Sequence, residues 1–151
     1  MLIRKMRIGD YEEMHVLWKQ SPGIRLSDVD DSRIAIDSFL ARNPDSCFIA
    51  EQNNKIVATI LAGNDGRRGH IYHMVVDEKF RNQGIATKLL DLTLQALKNR
   101  GIAKVSLVVF KENSDANIFW KKRGFMARED LIYRDKTLIT KILKSRNDAP
   151  N

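Results

Sequence analysis

His70-Ile71-Tyr72-His73-Met74-Val75-Val76 is a β-rich run, and Asp77-Glu78-Lys79-Phe80 carries it into Arg81-Asn82-Gln83-Gly84-Ile85-Ala86-Thr87, where a helix begins. This order of strand, glycine-bearing turn and helix decides the fold. The helix reads from one stripe of Ile85, Leu89, Leu92, Ala96 and Leu97 and closes at Gly101. The first amides of a helix have no internal acceptors, and the helix dipole adds positive potential there. Such a turn suits a phosphate or pyrophosphate, with Gly84 permitting close backbone approach. Arg81 and Lys88 supply charge, and Thr87 a hydroxyl donor. The chain contains neither G-x-x-x-x-G-K-[ST] nor G-x-G-x-x-G, which counts against P-loop nucleotide hydrolysis and a Rossmann dehydrogenase.

Downstream, Val105–Phe110 is nearly continuous in apolar residues, as a strand covered on both faces would be. It should lie parallel to the 70–76 strand by the crossover rule. A short helix over 114–123 stops at Gly124, and strands over 125–133 and 137–143 flank Arg134-Asp135-Lys136. Upstream, Leu2–Met6 forms a first strand, and a helix over 10–19 starts in a capping box of Asp10 and Glu13. Residues 20–31 read as a loop. A second helix over 32–42 ends at Asn43-Pro44, because the residue before proline avoids helical geometry. Strands Cys47–Gln52 and Lys55–Ala62 meet in an Asn53-Asn54 turn, since asparagine tolerates positive φ, and Gly63–Gly69 is a loop. The fold class is therefore mixed α/β: a mostly antiparallel central sheet, a parallel strand pair and flanking helices. One domain spans 1–147, with 148–151 a frayed tail.

The composition agrees with one soluble domain. Of 151 residues, 43% are hydrophobic and 30% charged, which supports a packed core rather than disorder. No apolar run is long enough to span a membrane, and the first residues lack a secretory signal, so the expected location is the cytoplasm. The single Cys47 sits in a strand-like run without a local histidine partner and reads as a buried structural thiol. A net charge of +7 suits an anionic ligand, but the basic residues are dispersed and aromatics are only 7%, so nucleic acid is the weaker reading. No metal-ligand pattern stands out.

The run Met74–Ala86 resembles the strand and Arg/Gln-x-x-Gly-x-Gly/Ala motif of the GNAT superfamily of N-acetyltransferases. Asn113-Ser114-Asp115-Ala116 followed by Trp120-Lys121-Lys122-Arg123-Gly124-Phe125 is similar to that family's second signature. Phe48–Glu51 and Lys55–Ala58 look like its central hairpin. The resemblance covers nearly the whole chain and implies the acyl-CoA N-acyltransferase fold, in which that parallel pair splays apart, with acetyl-CoA as co-substrate and no metal. It places the coenzyme pyrophosphate on Arg81, Asn82, Gln83, Gly84, Ile85, Ala86 and Thr87. It places the pantetheine arm along Met74, Val75 and Val76 where the strand splays from Val105–Phe110, with Asn113 on the same arm. An unpaired strand edge fits this role, because pantetheine carries peptide-like amides. Glu78 and Asn82 stand where proline and glycine are frequent. Trp120 stands where tyrosine is usual.

Direct acyl transfer to an amine needs a neutral amine, yet a lysine-like amine has a pKa of about 10.4. A general base, or a water chain leading to one, therefore helps. Strand alternation puts His70, Tyr72, Met74 and Val76 on one face and Ile71, His73 and Val75 on the other. His70 occupies the position where similar family members carry a glutamate or histidine base. His73, on the opposite face, reads as a satisfied structural histidine. Glu51 and the acids of the 28–31 loop are weaker alternatives, the latter a solvated loop able to attract a cationic amine. Trp120 has no hydroxyl to protonate the departing thiolate, so that role passes to Tyr72, Tyr133, a water or the ammonium itself. Trp120 would still pack against the coenzyme. The expected partners are acetyl-CoA and an amine acceptor, small molecule or protein, with the terminal strands candidates for pairing across a homodimer. A non-catalytic acyl-CoA-binding sensor is the alternative that Trp120 supports.

Overall fold

A computed structural model describes residues 1–144, so the expected tail at 148–151 lies outside the described residues. Five strands form one sheet in the order β1 (Leu2–Lys5), β2 (Phe48–Gln52), β3 (Lys55–Asn64), β4 (Gly69–Val76) and β5 (Val105–Ser106). The first three pairings are antiparallel, and β4–β5 is parallel. The β2–β3 turn uses Asn53 and Asn54 at φ 53° and 61°, as the sequence predicts. Helices α1 (Tyr11–Lys19) and α2 (Arg33–Arg42) lie on one face of the sheet, and α3 (Ile85–Asn99) and α4 (Ser114–Lys122) on the other.

Two apolar clusters follow from this sandwich. Met14, Leu17, Trp18, Ile36 and Leu40 pack on Ile49, Leu61 and Val75. On the opposite face Ile85, Leu89 and Leu90 pack on Ala50, Val57, Ile60 and Ile71. Each fully buried large side chain contributes roughly 1.5–3 kcal/mol. The α3 stripe is shifted from the expected one: Leu90 and Thr93 are buried, while Leu92 is 42% exposed. Thr93 is accommodated because its hydroxyl donates to Ser46 O at 3.1 Å.

Helix starts also use different partners from those expected. A 3-10 turn at Ile8–Asp10 precedes α1, and the Asp10 carboxylate accepts from Arg7 N–H (2.8 Å) and from both Arg4 amino groups. Glu13 does not close a capping box; its carboxylate accepts the Ile56 N–H of β3. Ser32 caps α2, accepting from Ala35 N–H at 3.3 Å.

Two corrections bear on the site. In β3–β4, Ala62 faces Ile71 and Leu61 faces His73, so Tyr72 is an extra residue in β4, a β-bulge. The bulge breaks the alternation that the sequence alone suggests. Ile71, Met74 and Val76 belong to the α3 side, whereas Tyr72, His73 and Val75 face α1 and α2. The second correction concerns the C-terminal half. Only Gly69–Val105 and His70–Ser106 pair in β4–β5, and Leu107–Phe110 diverge unpaired. Half-buried Val105, Leu107 and Val109 alternate with exposed Ser106, Val108 and Phe110, so this stretch is covered on one face, not two. The expected strands at 125–133 and 137–143 do not form: residues 126–143 make no backbone–backbone hydrogen bond within the described chain, and Leu131, Ile132, Tyr133 and Leu138 are exposed. Their alternating pattern is strand-like, but they pair with no strand among the described residues.

The closed end of the β4–β5 fork is set by Gly69. A Cβ there would lie 2.4 Å from Val105 Cγ2, so a larger residue would have to displace the Val105 side chain at the point where the two strands meet.

Candidate functional site

The fork between β4 and the chain after β5 is the centre of the site. Beyond His70, residues Ile71–Val76 pair only with β3, which leaves the other edge of β4 with free peptide groups. This unpaired edge holds Met74, Val75 and Val76, the residues expected to receive a peptide-like arm. The phosphate turn follows directly. A 3-10 turn at Glu78–Phe80 is capped by Asp77, whose carboxylate accepts from Lys79 N–H at 2.9 Å. Asn82 then takes φ +62° and Gly84 φ +77°, two left-handed residues that curl the chain into the start of α3.

The first α3 amide with an internal acceptor is that of Lys88, bonded to Gly84 O at 3.1 Å. The amides of Gln83, Gly84, Ile85, Ala86 and Thr87 therefore have no acceptor among the described residues. Nothing lies within 4 Å of where a Gly84 Cβ would stand, so the concavity is open. Arg81 reaches back over the turn, its Nε 3.5 Å from Val76 O. Sequence reasoning missed Arg123. Its guanidinium donates to Thr87 Oγ1 (2.5 Å from Nη2) and lies 3.9 Å from the centroid of the Phe119 ring. A cation at the positive end of a helix is compensated when an anion sits between them. Its signal in the sequence was its place just before Gly124, one helix length beyond Asn113. The donor set thus fits a pyrophosphate: open amides, a glycine cradle and two arginines.

Asn113 stands across the fork as the cap of α4. Its Oδ1 accepts from Ala116 N–H at 3.2 Å, which leaves the amide N–H₂ as the group free to donate. Trp120 lies edge-on to Phe119 and Phe125, both centroids at 5.0 Å, and packs with Met74, Val76 and Phe80 on the α3-side cluster.

His70 sits at the fork's apex, opposite Ser106, with Nδ1 3.1 Å from Ser106 Oγ. Burial holds its pKa below the usual 6.5, so the ring is neutral near pH 7 with Nε2 left for a second partner. The Tyr72 ring lies tilted against His70 (4.5 Å) and edge-on to Phe39 (5.5 Å) while remaining 57% exposed. Its pKa is raised, first by desolvation and then by Tyr133, Asp30 and Asp65, so its hydroxyl stays protonated. His70 and Tyr72 thus meet at the apex of the fork, while Trp120 belongs to the α3-side cluster.

Other candidates lie elsewhere or are committed. Glu51 is held by Arg4 in a pair at 2.5 Å. Asp31, expected in a solvated loop, is 6% exposed and paired with His73. Burial pushes the Cys47 thiol up to about 12, as befits a structural residue. Among the described residues there is no cluster of potential metal ligands, and no helix is long and apolar enough to cross a membrane.

Comparison with known proteins gives the same answer from an independent direction. Residues 11–125 match the sequence profile of the acetyltransferase (GNAT) family. An acetyltransferase of Photorhabdus laumondii is 36% identical over 123 residues, covering 79% of this chain and 81% of its own. One from Pectobacterium atrosepticum is 34% identical over 139 residues, covering 92% and 96%. Among solved structures, a predicted acetyltransferase of Clostridium acetobutylicum with acetyl-CoA superposes with a TM-score of 0.71 at 26% identity, covering 89% of this chain and 95% of that one. The PaiA N-acetyltransferase of Thermoplasma acidophilum, in complex with coenzyme A, gives 0.73 at 19% identity over 84% and 90%. The fork, the glycine turn and the sequence relatives agree, and the chain belongs to the GNAT family of acetyltransferases.

Proposed function

We propose that this protein transfers the acetyl group of acetyl-CoA directly to a primary amine in the cytoplasm. The observation that carries the reading is the continuity of the unpaired β4 edge with the open amides at the start of α3. Peptide groups of Met74–Val76 would bond the pantetheine amides, and the Asn113 amide would donate from the opposite wall. The turn amides with Arg81, Lys88 and Arg123 would hold the pyrophosphate. When bound, the coenzyme supplies the acetyl group as an activated thioester.

The chain's own residues manage the protons. His70, neutral and half-buried at the apex, takes a proton from the acceptor ammonium through Nε2 so that the neutral amine attacks the thioester, while Ser106 orients the ring through Nδ1. Tyr72, protonated at neutral pH and in contact with the His70 ring, would return a proton to the leaving thiolate. Trp120 excludes water from the arm and has no part in proton transfer. The carboxylates of Asp30 and Asp65, both close enough to raise the Tyr72 pKa, favour an acceptor that carries positive charge.

The test is free-thiol release from acetyl-CoA with a panel of primary amines, alongside calorimetric binding of acetyl-CoA. Turnover with at least one amine is expected. Binding without thiol release from any amine would favour the acyl-CoA sensor, the alternative raised by Trp120.

A further inference from the structure

Segment 20–31, between α1 and α2, rests on both walls of the fork. Its C-terminal end is fixed on β4. Asp31 Oδ1 is 2.6 Å from His73 Nε2, Asp31 Oδ2 accepts Ser27 N–H at 2.8 Å, and Asp31 O accepts the Tyr11 hydroxyl at 2.6 Å. The His73 ring leans on Trp18, with centroids 5.1 Å apart, and the Trp18 indole donates to Thr59 Oγ1 at 2.9 Å. The other end of the segment lies on the far wall. A Cβ on Gly23 would be 2.8 Å from Asn113 Nδ2, and the Arg25 guanidinium lies 4.3 Å from the centroid of the Phe110 ring. Between these ends Ile24 and Leu26 pack against the α1–α2 cluster.

His73 and Asp31 are nearly buried, in a cluster that is otherwise apolar. Removing such a pair from water is costly, and an apolar pair of similar volume would serve packing at least as well. What the pair adds is direction: it ties one end of this segment to β4, directly after the Tyr72 bulge and before Met74. We propose that Asp31 and His73 are positioning residues for acetyl transfer, pinning segment 20–31 as a strap that holds the two walls of the fork together around the coenzyme arm. Neither residue touches reacting atoms. The inference rests on the coenzyme reading of the fork given above.

The experiment measures the dissociation rate of CoA carrying a fluorophore on its adenine, displaced by excess acetyl-CoA in stopped flow, with thermal midpoints recorded in parallel. His73→Ala and Asp31→Ala are each expected to release the probe about tenfold faster, since losing one partner of a buried pair leaves the strap end unheld. The double variant should be no faster than either single one. His73→Gln keeps an N–H that reaches Asp31, and is expected to stay within about threefold of the native rate. Arg25→Ala, exposed and outside the core, should release about threefold faster without a change in melting. Rates within about twofold of native for His73→Ala, Asp31→Ala and Arg25→Ala would overturn the strap, as would His73→Gln matching His73→Ala. A native protein that fails to hold the probe would overturn the coenzyme reading and the strap together. Tight native binding with unaltered variant rates would overturn the strap alone.

Discussion

Cys47 and His70 are both shifted by burial, in opposite senses, because one is charged when it loses a proton and the other when it gains one. The Cys47 thiol is pushed up to about 12 and lies beneath β3, bonded to Ala62 O. It should resist iodoacetamide in the native protein at pH 8 and react once denaturant is added, with mass spectrometry reading the adduct. The sign follows for stability: above pH 9.0 the unfolded chain releases this proton while the folded one keeps it, so stability falls as pH rises from 9.0 towards 12. His70 is depressed below 6.5, so the neutral base persists to lower pH than for an exposed imidazole. The acidic limb of kcat/KM should therefore bend below pH 6.5 and vanish in His70→Ala, with a loss on the order of 10²–10⁴ in rate at neutral pH. At this scale the place of His70 at the start of β4 was legible because it is local information. The Asp31–His73 pair was not, since two residues 42 positions apart meet only through the tertiary fold.

The elements over 1–124 were largely readable, because the Asn53-Asn54 turn and the α3 start are written in neighbouring residues, although the helix caps use other partners. Their mutual registration was not. The Tyr72 bulge depends on how β3 pairs with β4, and strand alternation offers no sign of it. It has a chemical consequence: His70, Tyr72 and His73 come onto the α1–α2 side, where simple alternation would have divided them. The α3 turn provides the sharpest prediction at this scale. Gly84→Glu puts a carboxylate where the open amides await an anion, and forces a side chain onto φ +77°. Calorimetry should show acetyl-CoA binding weakened by at least about tenfold, worth about 1.4 kcal/mol. Undiminished binding would remove the turn from the site.

Across the whole molecule, stability is uneven. Residues 2–106 build the sheet and both apolar clusters, while 126–143 follow α4 without backbone hydrogen bonds to the rest. Trypsin should cut first at Arg128, Arg134 or Lys136, leaving a fragment that retains the sheet, as mass spectrometry of a timed digest would show. Early cuts within α3 instead would contradict this ordering. The hydrophobic alternation of the last third predicted strands because pattern reports what a segment is suited to, whereas a strand also needs a neighbouring edge. The charge of +7 was visible from composition and Arg81 and Lys88 from their place in the turn; the approach of Arg123 to Thr87 was not.

Gly69 gives the fork its length. With no side chain between the backbones, the two prongs touch at residues 69 and 70 and are free thereafter. A methyl group at 69 would act as a wedge driven into the joint, prising Val105 away and moving the crotch of the fork backwards. One hydrogen atom at position 69 therefore sets where the two strands of the fork touch.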